Sequence, residues 1–209
     1  MSRRPSANAI IVLSRGVSTA GAVDGPLQVG MSVGYTALAT MDPLESTERG
    51  HSVRAPAVAL HFQIPVSRWL GAGVQPSVLR KGVGWDYWRD GRKDVHLTVL
   101  ELETLLRIRS TSGGGPFGEL GVTVGVPLAR RSDSALLDRL PEAGTSLGLV
   151  LGAGWQWRVA PRKVVFLGFQ HLRDLSRTFG PAENLYPHRE GARSRVLLLN
   201  AGFAYVKDR

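Results

Sequence analysis

Residues Thr145–Val159, TSLGLVLGAGWQWRV, alternate with a period of two along their whole length. The odd positions carry Leu147, Leu149, Leu151, Ala153, Trp155, Trp157 and Val159, and the even positions carry Ser146, Gly148, Val150, Gly152, Gly154, Gln156 and Arg158. Successive side chains of a strand point to opposite faces, so this is an extended segment with one apolar face and one face of small and polar residues. Strands of water-soluble proteins usually run ~5–6 residues. A strand that crosses a membrane needs ~9–11 tilted residues, with aromatic rings where lipid meets water. Trp155 and Trp157 stand together at one end. The segment reads as a wall strand of a membrane-spanning barrel, and the remaining chain has to supply its neighbours.

It supplies seven. Leu27–Ala39 alternates in the same way, as do Arg54–Val66, Trp69 to the aromatic group Trp85, Tyr87 and Trp88, then Val95–Arg109, Phe117–Ala129, Lys163–Leu175 and a last strand through Leu197–Tyr205. In Val95–Arg109 the upstream residues Val95, Leu97 and Val99 lie on the opposite parity from Leu100, Leu102 and Leu106, which predicts a bulge near Val99–Leu100. Pro56, Pro65 and Pro76 stand against regular pairing where they fall, since proline has no amide hydrogen to donate.

The predicted connections alternate. Polar segments at Met41–Ser52, Asp86–Lys93, Arg130–Gly144 and Ser176–Ala192 are long, and those at Ser67–Arg68, Ser110–Pro116 and Ala160–Arg162 are short. Outer-membrane barrels have short periplasmic turns and longer external loops. This ordering places Trp69, Phe117, Trp155, Trp157 and Tyr205 in an aromatic girdle on the short-turn side, and Trp85, Tyr87 and Trp88 in a second girdle on the long-loop side. The expected fold is an all-β, eight-stranded antiparallel up-and-down transmembrane barrel over residues 26–207. Residues 1–25 read as a degenerate signal-like or disordered segment: Arg3 and Arg4 precede a short apolar stretch, and Ala20-Gly21-Ala22 resembles a cleavage site.

A soluble lipocalin-like barrel has the same number of strands but puts its large apolar side chains inside. Here the other face is rich in Gly, Ala and Ser, drawn from 25 glycines in the chain, which suits a narrow interior better than a wetted surface. Eight strands leave room only for side chains, so a packed lumen without an open pore is expected, holding a polar network of Gln75, Glu101, Glu103, Arg107 and Glu119.

Three segments carry a family resemblance: GVQPSVLRKG at Gly73–Gly82, VLELETLLR at Val99–Arg107 and PFGELGVTVGVPL at Pro116–Leu128. They resemble the outer-membrane β-barrel domain of the PorT-like porin family, with Glu103 where that family has a proline. The resemblance spans roughly Leu27 to Val206. It implies a barrel and an outer membrane far more than an activity.

Other chemistry finds little footing. The longest apolar runs fall short of the ~18 residues of a membrane helix, and with no cysteine there is no disulfide or thiolate metal site. The five histidines show no metal-ligand spacing, and Gly113–Gly115 lacks the Lys-Ser/Thr of a phosphate loop. His171 with Asp174 makes a conceivable oriented base, without an identifiable nucleophile. A lipid-modifying barrel enzyme of the deacylase type would begin its catalytic pair where Leu198 and Leu199 stand. The expectation is therefore a protein that is not an enzyme and needs no cofactor. The net charge of +9 comes without a run of five basic residues, which argues against nucleic acid. Basic residues gather instead toward the long loops. Arg80, Lys81, Arg130, Arg131 and Arg193 are candidate contacts for anionic lipid, the expected partner being lipopolysaccharide or another anionic surface. A monomer inserted in the outer membrane by the barrel assembly machinery completes the expectation.

Overall fold

The computed structural model describes residues 27–42, 50–52, 54–87, 91–110, 114–132, 144–176 and 193–207. Nine strands account for nearly all of them: β1 (Leu27–Asp42), β2 (Gly50–Ser52), β3 (Ala55–Pro65), β4 (Leu70–Tyr87), β5 (Gly91–Arg109), β6 (Gly115–Ser132), β7 (Ser146–Ala160), β8 (Lys163–Asp174) and β9 (Arg193–Lys207). β2 and β3 both pair with β4 and together make one stave, so the wall has eight. Each stave pairs antiparallel with its neighbours in the chain, and β1 pairs with β9 to close the ring.

The register sets the tilt. Val29 is level with Phe62, and the row continues through Val74, Thr104, Val122, Leu149, Arg173 and Arg195. It returns to β1 at Thr40, above its start, with a register irregularity between Thr36 and Leu38 on the way. A stagger of about ten residues at ~3.3 Å each, set against eight staves ~4.8 Å apart, tilts the strands by roughly 40°.

The alternation runs in the sense opposite to that of a soluble barrel. The outward positions Leu100, Leu102, Leu106 and Ile108 on β5, and Leu120, Val122, Val124, Val126 and Leu128 on β6, are all exposed. Nine residues at this tilt cover about 23 Å of height, close to the ~25 Å apolar band of an outer-membrane barrel. The inner face carries the small residues that let large ones in. The ring of Phe117 lies so close to Gly154 that a Cβ there would stand 2.5 Å from its Cζ and 2.4 Å from the carbonyl oxygen of Leu167. At the β5–β6 turn Gly115 has a φ of 126°, which side-chain-bearing residues rarely adopt.

Several local expectations change. β4 continues to Tyr87 and β5 begins at Gly91, so the segment Asp86–Lys93 is no long loop: the two strands pair all the way to Tyr87↔Gly91. β1 reaches Asp42, and β6 carries Arg130 and Arg131 inside its ladder. The irregularity expected in β5 is real but belongs to β6. Val99 pairs with Pro127 and Thr98 with Ala129, leaving Leu128 as the extra residue. Leu97 and Val99 point inward and are buried, because the lumen is apolar at that level. The β3–β4 ladder breaks opposite Pro76, which has no amide hydrogen to give. The segments 1–25 and Ser176–Ala192 lie, except for Ser176, outside the described residues.

Candidate functional site

The inward positions form three polar layers. Nearest the long-connection end, Lys81 of β4 reaches across the lumen. Its Nζ lies 2.6 Å from Glu101 Oε1 of β5 and 2.8 and 3.1 Å from the two carboxylate oxygens of Asp174 on β8. Thr123 of β6 donates its hydroxyl to the other oxygen of Glu101. Lys81 is 1% exposed, and Glu101 and Asp174 are equally shut off.

The middle layer is an amide and carboxyl web. Gln75 Nε2 donates to Gln170 Oε1 at 3.3 Å and to Glu103 Oε1 at 3.4 Å, and Ser77 Oγ donates to the same Glu103 oxygen at 3.2 Å. Asn200 Nδ2 also donates to Gln170 Oε1, at 3.2 Å. Glu103 Oε2 is buried and has no hydrogen-bond partner among the described residues. Leu79, Leu105, Val150, Leu172, Val196 and Leu198 fill much of the remaining inner space.

The layer toward the short turns is organised by Arg107. Its Nε donates to Glu119 Oε1 at 2.7 Å, its Nη2 donates to the same oxygen, and its Nη1 donates to Gln63 at 3.4 Å. The guanidinium stacks 4.6 Å above the Phe117 ring centre and 5.7 Å from that of Phe166. Beside it, Ser32 Oγ and His61 Nε2 are hydrogen-bonded at 2.7 Å. A cavity of about 20 Å³ lies among His61, Gln75, Arg107, Glu119 and Phe166, enough for about one water.

The five residues expected in the lumen network, Gln75, Glu101, Glu103, Arg107 and Glu119, are all buried on the inner face, in three different layers. Lys81 overturns its expectation. It cannot reach a lipid headgroup, because it points into the lumen and is clamped by two carboxylates. The network also takes in Gln63, Thr123, Gln170, Asp174 and Asn200, each on the inner parity of its strand. His171 and Asp174 do not form a base pair of side chains: His171 faces outward and is exposed, whereas Asp174 faces the lumen. Among the described residues no group of three or more His, Asp or Glu is placed to hold a metal ion.

On the outer face Trp69, Trp155, Trp157 and Tyr205 are exposed near the short-turn end, at 54%, 47%, 45% and 44%, whereas Phe117 is no girdle residue: it is buried in the lumen beneath Arg107. The backbone of Trp85 and Tyr87 lies in β4 at the other end, and Trp88 falls outside the described residues. Arg80, Arg131 and Arg193 are exposed, and Arg130 is half-buried. Charge is sorted by the wall. Every acidic residue whose burial is described, Glu101, Glu103, Glu119 and Asp174, faces the lumen, and basic residues stand at both ends of the outer surface. A predominantly apolar belt outside, broken by Thr104 and His171, around a filled polar interior is the architecture of a barrel that spans a bilayer.

No family model and no curated protein matches the chain. Among solved structures, outer membrane protein OprG from Pseudomonas aeruginosa is similar with a TM-score of 0.61 and 13% identity, covering 88% of this chain and 97% of its own. Outer Membrane Protein W from E. coli reaches 0.48 with 8% identity over 87% and 97% of the two chains. Neisserial surface protein A reaches 0.47 with 14% identity over 86% and 96%. At these identities the likeness is one of fold: the chain is a closed eight-stranded antiparallel β-barrel of the outer-membrane type.

Proposed function

We propose that this is a small integral outer-membrane protein with a sealed barrel, which acts through its exposed end as a structural, adhesive or interaction protein and not as a channel or an enzyme. The observation that carries the reading is the Lys81–Glu101–Asp174 bridge, which ties β4, β5 and β8 together across the lumen. The glutamine layer beneath it and the buried leucines between support a lumen closed to solutes. The PorT-like resemblance of the β4–β6 segments agrees with this reading and is the finer assignment we favour. Insertion by the barrel assembly machinery and a monomeric state go with it.

Planar-bilayer recording on the refolded protein tests the proposal. Wild type is expected to give no stepwise conductance. Steady single-channel steps at neutral pH would refute a sealed lumen. Mobility on gels with and without boiling runs alongside, and shows that the protein under the electrode is the folded barrel.

A further inference from the structure

The outward surface just above the apolar belt holds a shallow concavity of about 400 Å³ on β4, β5 and β6, lined by Arg80, His96, Thr98, Ala129, Arg130 and Arg131. We propose that it binds a phosphate group of the glycolipid in the outer leaflet. This rests on the membrane-barrel reading above and adds a partner and a place to it.

The register explains how the basic groups come together. Arg80 is level with Thr98 and Ala129, and His96 is level with Arg131. Arg80 and Arg131 thus stand two strands apart and two residues offset, roughly 12 Å between backbones. Both long side chains line the concavity from opposite sides of the small floor made by Thr98 and Ala129. The bulge at Leu128 is what makes this possible. Without the extra residue Arg131 would follow the inner parity of β6; with it, Ala129 and Arg131 turn to the same side as Arg80 and His96.

Height and charge name the occupant. Val78 and Leu100 are the last apolar residues below Arg80 and Thr98, so the concavity begins where the acyl chains end. Among residues whose burial is described, no acidic side chain faces outward on the wall, so none of that set stands beside Arg80 or Arg131 on the outer surface. Guanidinium binds phosphate with two parallel, charge-assisted hydrogen bonds, and a phosphate held by a lipid arrives at this depth already positioned. Arg193 belongs to a different part of the rim, on β9 opposite Asp42.

The test compares wild type with the Arg80→Gln/Arg131→Gln double variant, each refolded and checked by its boiling shift. Binding is measured by native mass spectrometry in detergent against bisphosphorylated lipid A, the same lipid A after phosphatase treatment, and inorganic phosphate. Wild type is expected to prefer the phosphorylated lipid, and the double variant to lose affinity by roughly tenfold for each guanidinium removed. Arg173→Gln, at the same end of β8, is expected to leave binding unchanged. Equal binding of both lipid A forms, or an equal loss in Arg173→Gln, would overturn the site. So would inorganic phosphate binding as tightly as the lipid, since that would place recognition off the membrane. A wild type without the boiling shift would count against the barrel reading and not against the site, so the two failures are separable, and the single variants Arg80→Gln and Arg131→Gln carry the test of the site where the double variant lacks the shift.

Discussion

Two ion clusters sit inside one barrel, and they are built differently. The Lys81 cluster joins three staves that include opposite sides of the lumen, and its members are about 1% exposed or less. The Arg107 ion pair joins neighbouring strands β5 and β6, reaches Gln63 of β3 by a longer hydrogen bond, leans on two aromatic rings, and borders a cavity the size of a water. The first is a fully buried cross-brace, and the second borders a space that could admit a water. A buried charge that loses its partner is most costly where water cannot replace it.

Replacing Lys81 by Met should therefore do the most damage, since it strands Glu101 and Asp174 together: about 3–5 kcal/mol. Urea unfolding in detergent, followed by tryptophan fluorescence, measures it. The triple change Lys81→Met/Glu101→Gln/Asp174→Asn should recover most of that loss. If it recovers none, the cluster is not an ionic brace. Arg107→Met should cost less, roughly 1–3 kcal/mol, because water beside the cavity can hydrate Glu119. A loss as large as that of Lys81→Met would erase the difference between the two clusters. Ser32→Ala should be the mildest, about 1 kcal/mol for its one hydrogen bond to His61. In the same unfolding experiment, an effect larger than that of Arg107→Met would show His61 to be the organising group of the lower layer.

Much of this interior is readable from alternation. On β4 the inner set Gln75, Ser77 and Leu79 continues to Lys81 by the same period, and on β8 the set Gly168, Gln170 and Leu172 continues to Asp174. Lys81 was nevertheless expected at the headgroups, because it adjoins Arg80 and precedes a run of aromatic and charged residues that resembles a loop. What alternation cannot convey is the partner. Lys81 and Asp174 lie 93 residues apart and meet only because the stagger of the closed ring brings β4 and β8 level across the lumen. The bulge was legible but misplaced. Its cue is the apolar residues Val95, Leu97 and Val99 on the supposedly polar face, and the inner face is in fact apolar there: Leu97 and Val99 are buried, and Val99 is level with the buried Leu79. The extra residue on β6 leaves no cue of its own, since Leu128 and Ala129 suit either side.

Seven of the eight seams join staves that follow one another in the chain, and the eighth joins β1 to β9, with Leu27 level with Lys207. A seam between consecutive strands can form as a hairpin, in microseconds. The last one has to bring together segments from opposite ends of the molecule, and the entropy of that closure is offset only once the ring is complete. Until then β1 and β9 each present an open edge to any other strand nearby. The slow step of assembly, and the moment of greatest exposure to mispairing, is thus written into a single pair of strands.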